Sequence, residues 1–226
     1  LMQHSEKHGI NGHQLYGSRK GKCAYDALIT VRIIYDMARI QRDYIISLFN
    51  DLKGAYDRVR PSLNTVTTRR AGLSKEEAVC HARALRKMKH FLRTGFGVSV
   101  EHLLWDILNN PGGLGQGNGG GPTSFHCLML PLEKAYEYET GHGVAYTNPD
   151  SSRKFFQWLV SYVDDNTILV KLENLGYENT AEKMIEVAKR CLGIWQRLVH
   201  VTGGELELTK SCYSLMTWKL DKGGKY

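Results

Sequence analysis

Asp51, Asp164 and Asp165 are the residues of this chain whose type and spacing best suit chemistry. Asp164 and Asp165 follow the apolar run Trp158-Leu159-Val160-Ser161-Tyr162-Val163 and precede Thr167-Ile168-Leu169-Val170. That pattern predicts a strand, a two-residue acidic turn and a second strand. Asp51 closes another β-rich run, Tyr44 to Phe49 with Asn50, and is followed by Tyr56 and Asp57. A strand end gives a carboxylate rigid support and an accessible position. Grouped carboxylate oxygens suit a hard dication such as Mg²⁺. Two such ions about 3.5–4 Å apart are a general solution to nucleotidyl transfer. Plainer roles are open to the same residues: Asp164-Asp165 as a turn signal, Asp51 as a helix N-cap, Tyr56 as a core ring.

Six glycines between residues 112 and 120 surround Gln116, and Pro122 precedes an apolar helical segment from Ser124 to about Tyr138. By composition this is a flexible linker. Glycines also let the backbone approach a ligand closely, and a helix N-terminus favours anions. That pairing suits a nucleotide or its paired template base.

Periodicity indicates the elements that must position these groups. Leu28, Val31, Ile34 and Ala38 recur at spacings of three and four, which predicts a helix from Ala24 to Arg42. A short helix is expected near Lys53, interrupted or restarted by Pro61. Ser74 reads as the N-cap of a helix running to about Thr94, with Val79, Ala82, Leu85, Met88 and Leu92 on one face. Residues 95–108 read as a strand pair, and 141–153 as a loop with a short strand at Val144 to Tyr146. Asn179 to Val201 is the clearest helix, with Met184, Ala188, Trp195 and Leu198 on one face and Gly203-Gly204 ending it. Leu206, Leu208 and Tyr213 to Leu220 read as closing strands, and Trp158 as a core residue. Strands and helices mix without strict βαβ alternation, so the class is α+β.

The chain has 226 residues, 42% of them apolar, which suffices for a packed interior and excludes disorder. It contains no apolar run of membrane-spanning length, and residues 1–8 lack a signal-peptide core, so no membrane association or secretion is expected. The five cysteines are scattered, odd in number and without CxxC spacing, which predicts free thiols. His4, His8 and His13 read as part of a solvated, flexible segment. The net charge of +7 favours a polyanionic partner, and Arg83, Arg86, Lys87, Lys89 and Arg93 concentrate it on one segment.

In order along the chain, five groups of residues resemble the motifs of reverse transcriptases. Gln14-Leu15-Tyr16-Gly17-Ser18-Arg19-Lys20-Gly21-Lys22 with Asp26-Ala27 resembles the fingers motif. Asp51-x4-Tyr56-Asp57, Gly113-x-Gly115-Gln116-Gly117-x4-Pro122 and Tyr162-Val163-Asp164-Asp165 resemble palm motifs A, B and C. Leu206-Glu207-Leu208-Thr209-Lys210, after Gly203-Gly204, resembles the palm motif that ends in lysine. The set spans residues 14–218 and is most similar to retrotransposon enzymes of the non-LTR kind. Ser18, Lys22-Cys23, Gly121 and Glu207 depart from the usual residues of those motifs.

The resemblance implies a right-hand polymerase palm, an antiparallel sheet backed by helices, with partial helical fingers and no thumb. Residues 1–42 would be partial fingers, 43–60 palm, 61–110 a helical connection and 111–226 the rest of the palm. It implies RNA-templated DNA synthesis with two Mg²⁺ ions, or Mn²⁺ in their place, within a retroelement product. The partners would be an RNA template, a DNA primer and dNTPs, in the cytoplasm or nucleus. Asp51, Asp164 and Asp165 would be catalytic and, with the Leu52 carbonyl, hold metal. Arg19, Tyr56, Gln116, Gly117 and Lys210 would contact nucleotide or template, Tyr56 by excluding a 2′-hydroxyl. An inactive nucleic-acid-binding relic and an RNA-dependent RNA polymerase are the competing readings.

Overall fold

The computed structural model describes residues 1–103, 113–115, 119–148, 150–172 and 180–218. The elements in chain order are α1 (Met2–Lys7), α2 (Ala24–Gln41), β1 (Ile45–Asp51), α3 (Pro61–Arg70), α4 (Lys75–Arg86), β2 (His90–Thr94), β3 (Gly97–Leu103), α5 (Gly121–Thr140), β4 (Val144–Thr147), β5 (Lys154–Gln157), β6 (Leu159–Tyr162), β7 (Asp165–Lys171), α6 (Thr180–Val201) and β8 (Cys212–Met216).

The main sheet has the order β6-β7-β1-β8, each neighbouring pair antiparallel. Its pleat sends alternate residues to opposite faces. Ile46 and Leu48 of β1 join a core with Leu128 of α5 and Ile194 and Trp195 of α6. Ile45 faces the other way and packs with Ile34 and Ala38 of α2. The sheet is thus covered on both faces, by α5 and α6 on one and α2 on the other. At the centre of the first core, the Tyr136 ring stacks on Trp158 at 4.3 Å, and Trp195 meets both edge-on at 5.8 and 6.2 Å. Burying rings of this size contributes about 2–3 kcal/mol each.

Local signals set several boundaries. Ser74 caps α4: its hydroxyl accepts from the Glu77 amide, and the Glu77 carboxylate accepts from the Ser74 amide. Pro61 opens α3 at a position where no amide hydrogen is needed. Arg42 ends α2 in a left-handed conformation. All five cysteines are free. Among the described residues, no helix is long and apolar enough to cross a membrane.

Several expectations need correction, among them the closing strand at Leu206 and Leu208, where the structure has an isolated bridge and a turn. No helix forms at Lys53; residues 53–58 are turns. The helix capped by Ser74 stops at Arg86, and residues 90–94 form β2 instead. The N-terminal segment is folded against the rest of the chain: α1 is fastened by Ser5 Oγ donating to the Ala71 carbonyl and by Glu6 pairing with Arg19, while His4, His8 and His13 are exposed. The acidic turn is Val163-Asp164, because Tyr162 pairs with Asp165 and Asp165 already belongs to β7. The run leading into it also breaks at Trp158, with β5 pairing to β4 and β6 to β7.

Candidate active site at the end of the central sheet

β1 delivers Asp51 to one end of the sheet, where its register partner is Asp165, the first residue of β7. Two like charges directly opposite on a ladder repel. The Asp165 carboxyl is accordingly held above the usual carboxylate range, first by partial burial and then by Asp164 and Asp51, with Lys210 acting against them. Asp164 occupies the turn beside them. The Asn166 side chain donates through Nδ2 to the Asp164 carbonyl at 2.8 Å and so braces that turn. Val163 adopts φ of +61°. A β-branched residue pays about 1–3 kcal/mol for that conformation.

Behind the hairpin, residues 14–16 run parallel to β6. The Ser161 amide donates to the Gln14 carbonyl and the Tyr16 amide to the Ser161 carbonyl, at 2.9 and 2.8 Å. Gln14 Oε1 also accepts from the Leu159 amide. Arg19 fastens this segment. Its guanidinium takes both oxygens of Glu6 and donates to the Gly12 and Leu15 carbonyls. Arg19, expected to contact template or nucleotide, is bonded within the fold in this structure and shapes the loop that supports β6.

A cleft of about 300 Å³ opens beside the acids, lined by residues 51–57 together with Asp164, Glu207 and Lys210. Tyr56 is half-buried, its ring 5.3 Å from that of Phe125. Its hydroxyl is raised above the ordinary phenol range by burial, then by Asp164 and Tyr162. The glycine-rich segment closes on the same turn. Gly113 and Leu114 donate to the Asp57 and Tyr56 carbonyls at 2.9 and 2.7 Å. A Cβ at Gly113 would overlap the Tyr56 carbonyl oxygen, so only glycine fits. Residues 113–115 are thus a fitted strip and not a linker. Gln116 and Gly117 lie outside the described residues.

Glu207 completes the cleft, on a segment bonded to the end of β1 and the residues after it. The Lys53 amide donates to the Glu205 carbonyl, and the Glu207 amide to the Asp51 carbonyl. Neither bond uses the Leu52 carbonyl, although Leu52 and Leu206 face each other as a bridge. Lys210 places Nζ 3.2 Å from Asp51 Oδ2. Glu207 is a cleft residue that sequence reasoning noted only as a departure. Its carboxyl is held below the usual range by the Thr209 hydroxyl, which donates to it at 2.7 Å. The available signal was its place three residues before Lys210.

Asp165 turns away from this cleft. It lines a groove on the α2 side with Leu28, Tyr35 and Phe49, and Asp51 and Lys210 border both spaces. As placed, no three acid, histidine or cysteine side chains among the described residues converge closely enough to grip one ion. Asp51 and Asp164 share the cleft, and the cation opposite Asp51 is an exposed lysine able to exchange.

No protein-family model matches the sequence, and no curated protein does. Solved structures do match. Apo telomerase from Candida tropicalis, truncated of its C-terminal domain, superposes with a TM-score of 0.60 over 97% of this chain at 11% identity. Telomerase from Candida albicans, in complex with a fragment of telomeric RNA, gives 0.58 over 100% at 9% identity. The chain spans 39% and 34% of those two proteins. At such identities the likeness establishes the fold, a polymerase fold of the reverse-transcriptase type built on an antiparallel sheet with helices.

Proposed function

We propose that this chain is the palm of an RNA-templated DNA polymerase, acting by two-metal nucleotidyl transfer. One observation carries the reading: Asp51, Asp164, Tyr56 and Lys210 line a single cleft at the end of the central sheet. Asp51 and Asp164, with the Leu52 carbonyl, would hold Mg²⁺, which neutralises the triphosphate and lowers the pKa of the primer hydroxyl. Asp165 supports the cluster from the α2 side. Tyr56, backed by Phe125, sets the floor for the incoming sugar and leaves no room for a 2′-hydroxyl. Lys210 exchanges its bond to Asp51 for the phosphates of the incoming nucleotide. Gln116 and Gly117 would meet the base pair being formed. The motif order supports a retroelement source. The solved telomerases, one bound to telomeric RNA, support an RNA partner.

The experiment is Mg²⁺-dependent dTTP incorporation on poly(rA)/oligo(dT), with Asp164→Asn as the control. Incorporation should fall by orders of magnitude in the variant. Equal extension by both proteins would reject the assignment. Tyr56→Ala should raise incorporation of ribonucleotides relative to deoxynucleotides. Preference for ribonucleotides by the unaltered chain would favour RNA synthesis instead.

A further inference from the structure

The hairpin of β2 and β3 turns aromatic and aliphatic side chains outward. Phe96, at its tip between Gly95 and Gly97, is 104% exposed, Val100 96% and Phe91 50%. Phe91 lies across from His102, their rings 5.6 Å apart. A two-stranded hairpin is marginal by itself, and a ring that faces water with no cross-strand partner, as Phe96 does, adds nothing to its stability. They are available to a partner.

The surrounding charge indicates the partner's class. Arg83 and Arg86 close α4, and Lys87, Lys89 and Arg93 lead through the hairpin. All five are exposed, and none is paired with a carboxylate among the described residues. No acidic residue intervenes between Glu77 and Glu101. An apolar protein surface would have to desolvate these cations for no return. A single-stranded polynucleotide uses both features, with phosphates against the cations and bases stacked on the rings. The root of the hairpin also adjoins the glycine strip 113–115: a Cβ on Gly115 would lie 3.4 Å from Met88 Sδ, between α4 and β2.

We propose that the β2–β3 hairpin is a contact for single-stranded nucleic acid. Phe96 stacks on an unpaired base, and Lys87, Lys89 and Arg93 meet the phosphates beside it. Gly95 and Gly97 have open space around them, so the tip can adjust to any base and the contact is tolerant of sequence. The inference rests on the polymerase reading and adds a grip on the strand outside the acid cleft.

The test is binding of labelled oligo(rA) to the whole chain, followed by fluorescence anisotropy. Phe96→Ala should weaken binding about tenfold. Phe96→Trp should keep the affinity and show saturable quenching of its fluorescence by the oligonucleotide. Replacing Lys87, Lys89 and Arg93 together by Gln should reduce the slope of log K against log salt by about 2. Unchanged affinity in Phe96→Ala, or quenching of Phe96→Trp by phosphatidylserine vesicles and not by oligo(rA), would overturn the proposal. Primer extension with the Asp164→Asn control reads the polymerase function separately. An active chain indifferent to Phe96 sinks this inference alone, and Phe96-dependent binding without synthesis sinks only the other.

Discussion

A Cβ added to Gly17 would lie 2.7 Å from the amide nitrogen of Val163 and 2.9 Å from its Cγ2. The loop held by Arg19 therefore touches the acidic turn backbone to backbone. Gly17→Ala must push that turn away, and overpacking of this kind costs about 1–3 kcal/mol. Thermal melts should show the loss, and activity should fall further than stability because Asp164 moves with the turn. Gly193 supplies the contrast. It lies inside α6, exposed, with nothing within 4 Å of an added Cβ. Gly193→Ala should raise stability by about 0.5–1 kcal/mol.

Val163 at φ +61° makes a second prediction about the same turn. Val163→Gly relieves the strained conformation but gives up partly buried surface against the main core. The two effects are each about 1–2 kcal/mol and oppose one another. Urea denaturation should place the variant within about 1 kcal/mol of the parent. Val160→Gly, three residues earlier on β6 and 4% exposed, has only losses and should cost about 3 kcal/mol or more. Equal losses at both positions would show that residue 163 carries no strain.

The elements with strong local signals were legible before any coordinates. α2 lies within a residue of its expected bounds, α4 begins at its Ser74 cap, α6 ends just before Gly203-Gly204, and β1 and β7 are short runs rich in β-formers. The errors fall where tertiary contacts decide. Met88 and Leu92 continue the three-and-four spacing of α4 by coincidence, yet the chain turns into β2. α1 is six residues long, too short to stand alone, and depends on Ala71 and Arg19 from distant segments. In the site, ordered motifs were enough to bring Asp51, Tyr56, Asp164 and Lys210 together. They could not show that Glu6 claims Arg19, because that pairing joins two loops through the fold.

Lys210 and Asp51 lend themselves to a charge measurement. Their pair is exposed on the lysine side, and such pairs are worth about 0–1 kcal/mol. Lys210→Met should therefore leave the melting temperature nearly unchanged. Lys210 also acts to lower the pKa of Asp165, against the upward push of burial, Asp164 and Asp51. Its removal should move the Asp165 titration further upward, followed by carboxyl-carbon NMR. An unmoved Asp165 would mean that the lysine stays in solvent, away from the acids.

Glu133 gives stability an unusual pH dependence. It lies buried on α5, close against Gly12, and accepts the Gln14 backbone amide. Burial pushes its carboxyl up to about 7, and Glu137 adds to the rise. A carboxyl raised in the fold contributes stability that is full below its unfolded pKa and is lost as pH rises through the folded value. His126, seven residues earlier on α5, works in the opposite sense. Burial lowers it to about 4, so its contribution is full above the unfolded pKa and is lost as pH falls toward 4. The two opposing slopes partly cancel between about pH 4 and 7 and hide each other in the parent chain. Glu133→Gln separates them, since the amide keeps the shape and the acceptor without the ionisation. Denaturant melts should find the variant more stable than the parent by up to about 3 kcal/mol at about pH 8, and by less than about 1 kcal/mol at about pH 5. The variant should also lose stability more steeply than the parent on acidification, as His126 alone takes up its proton. An advantage equal at both pH values would mean that Glu133 ionises in the fold as readily as in the unfolded chain.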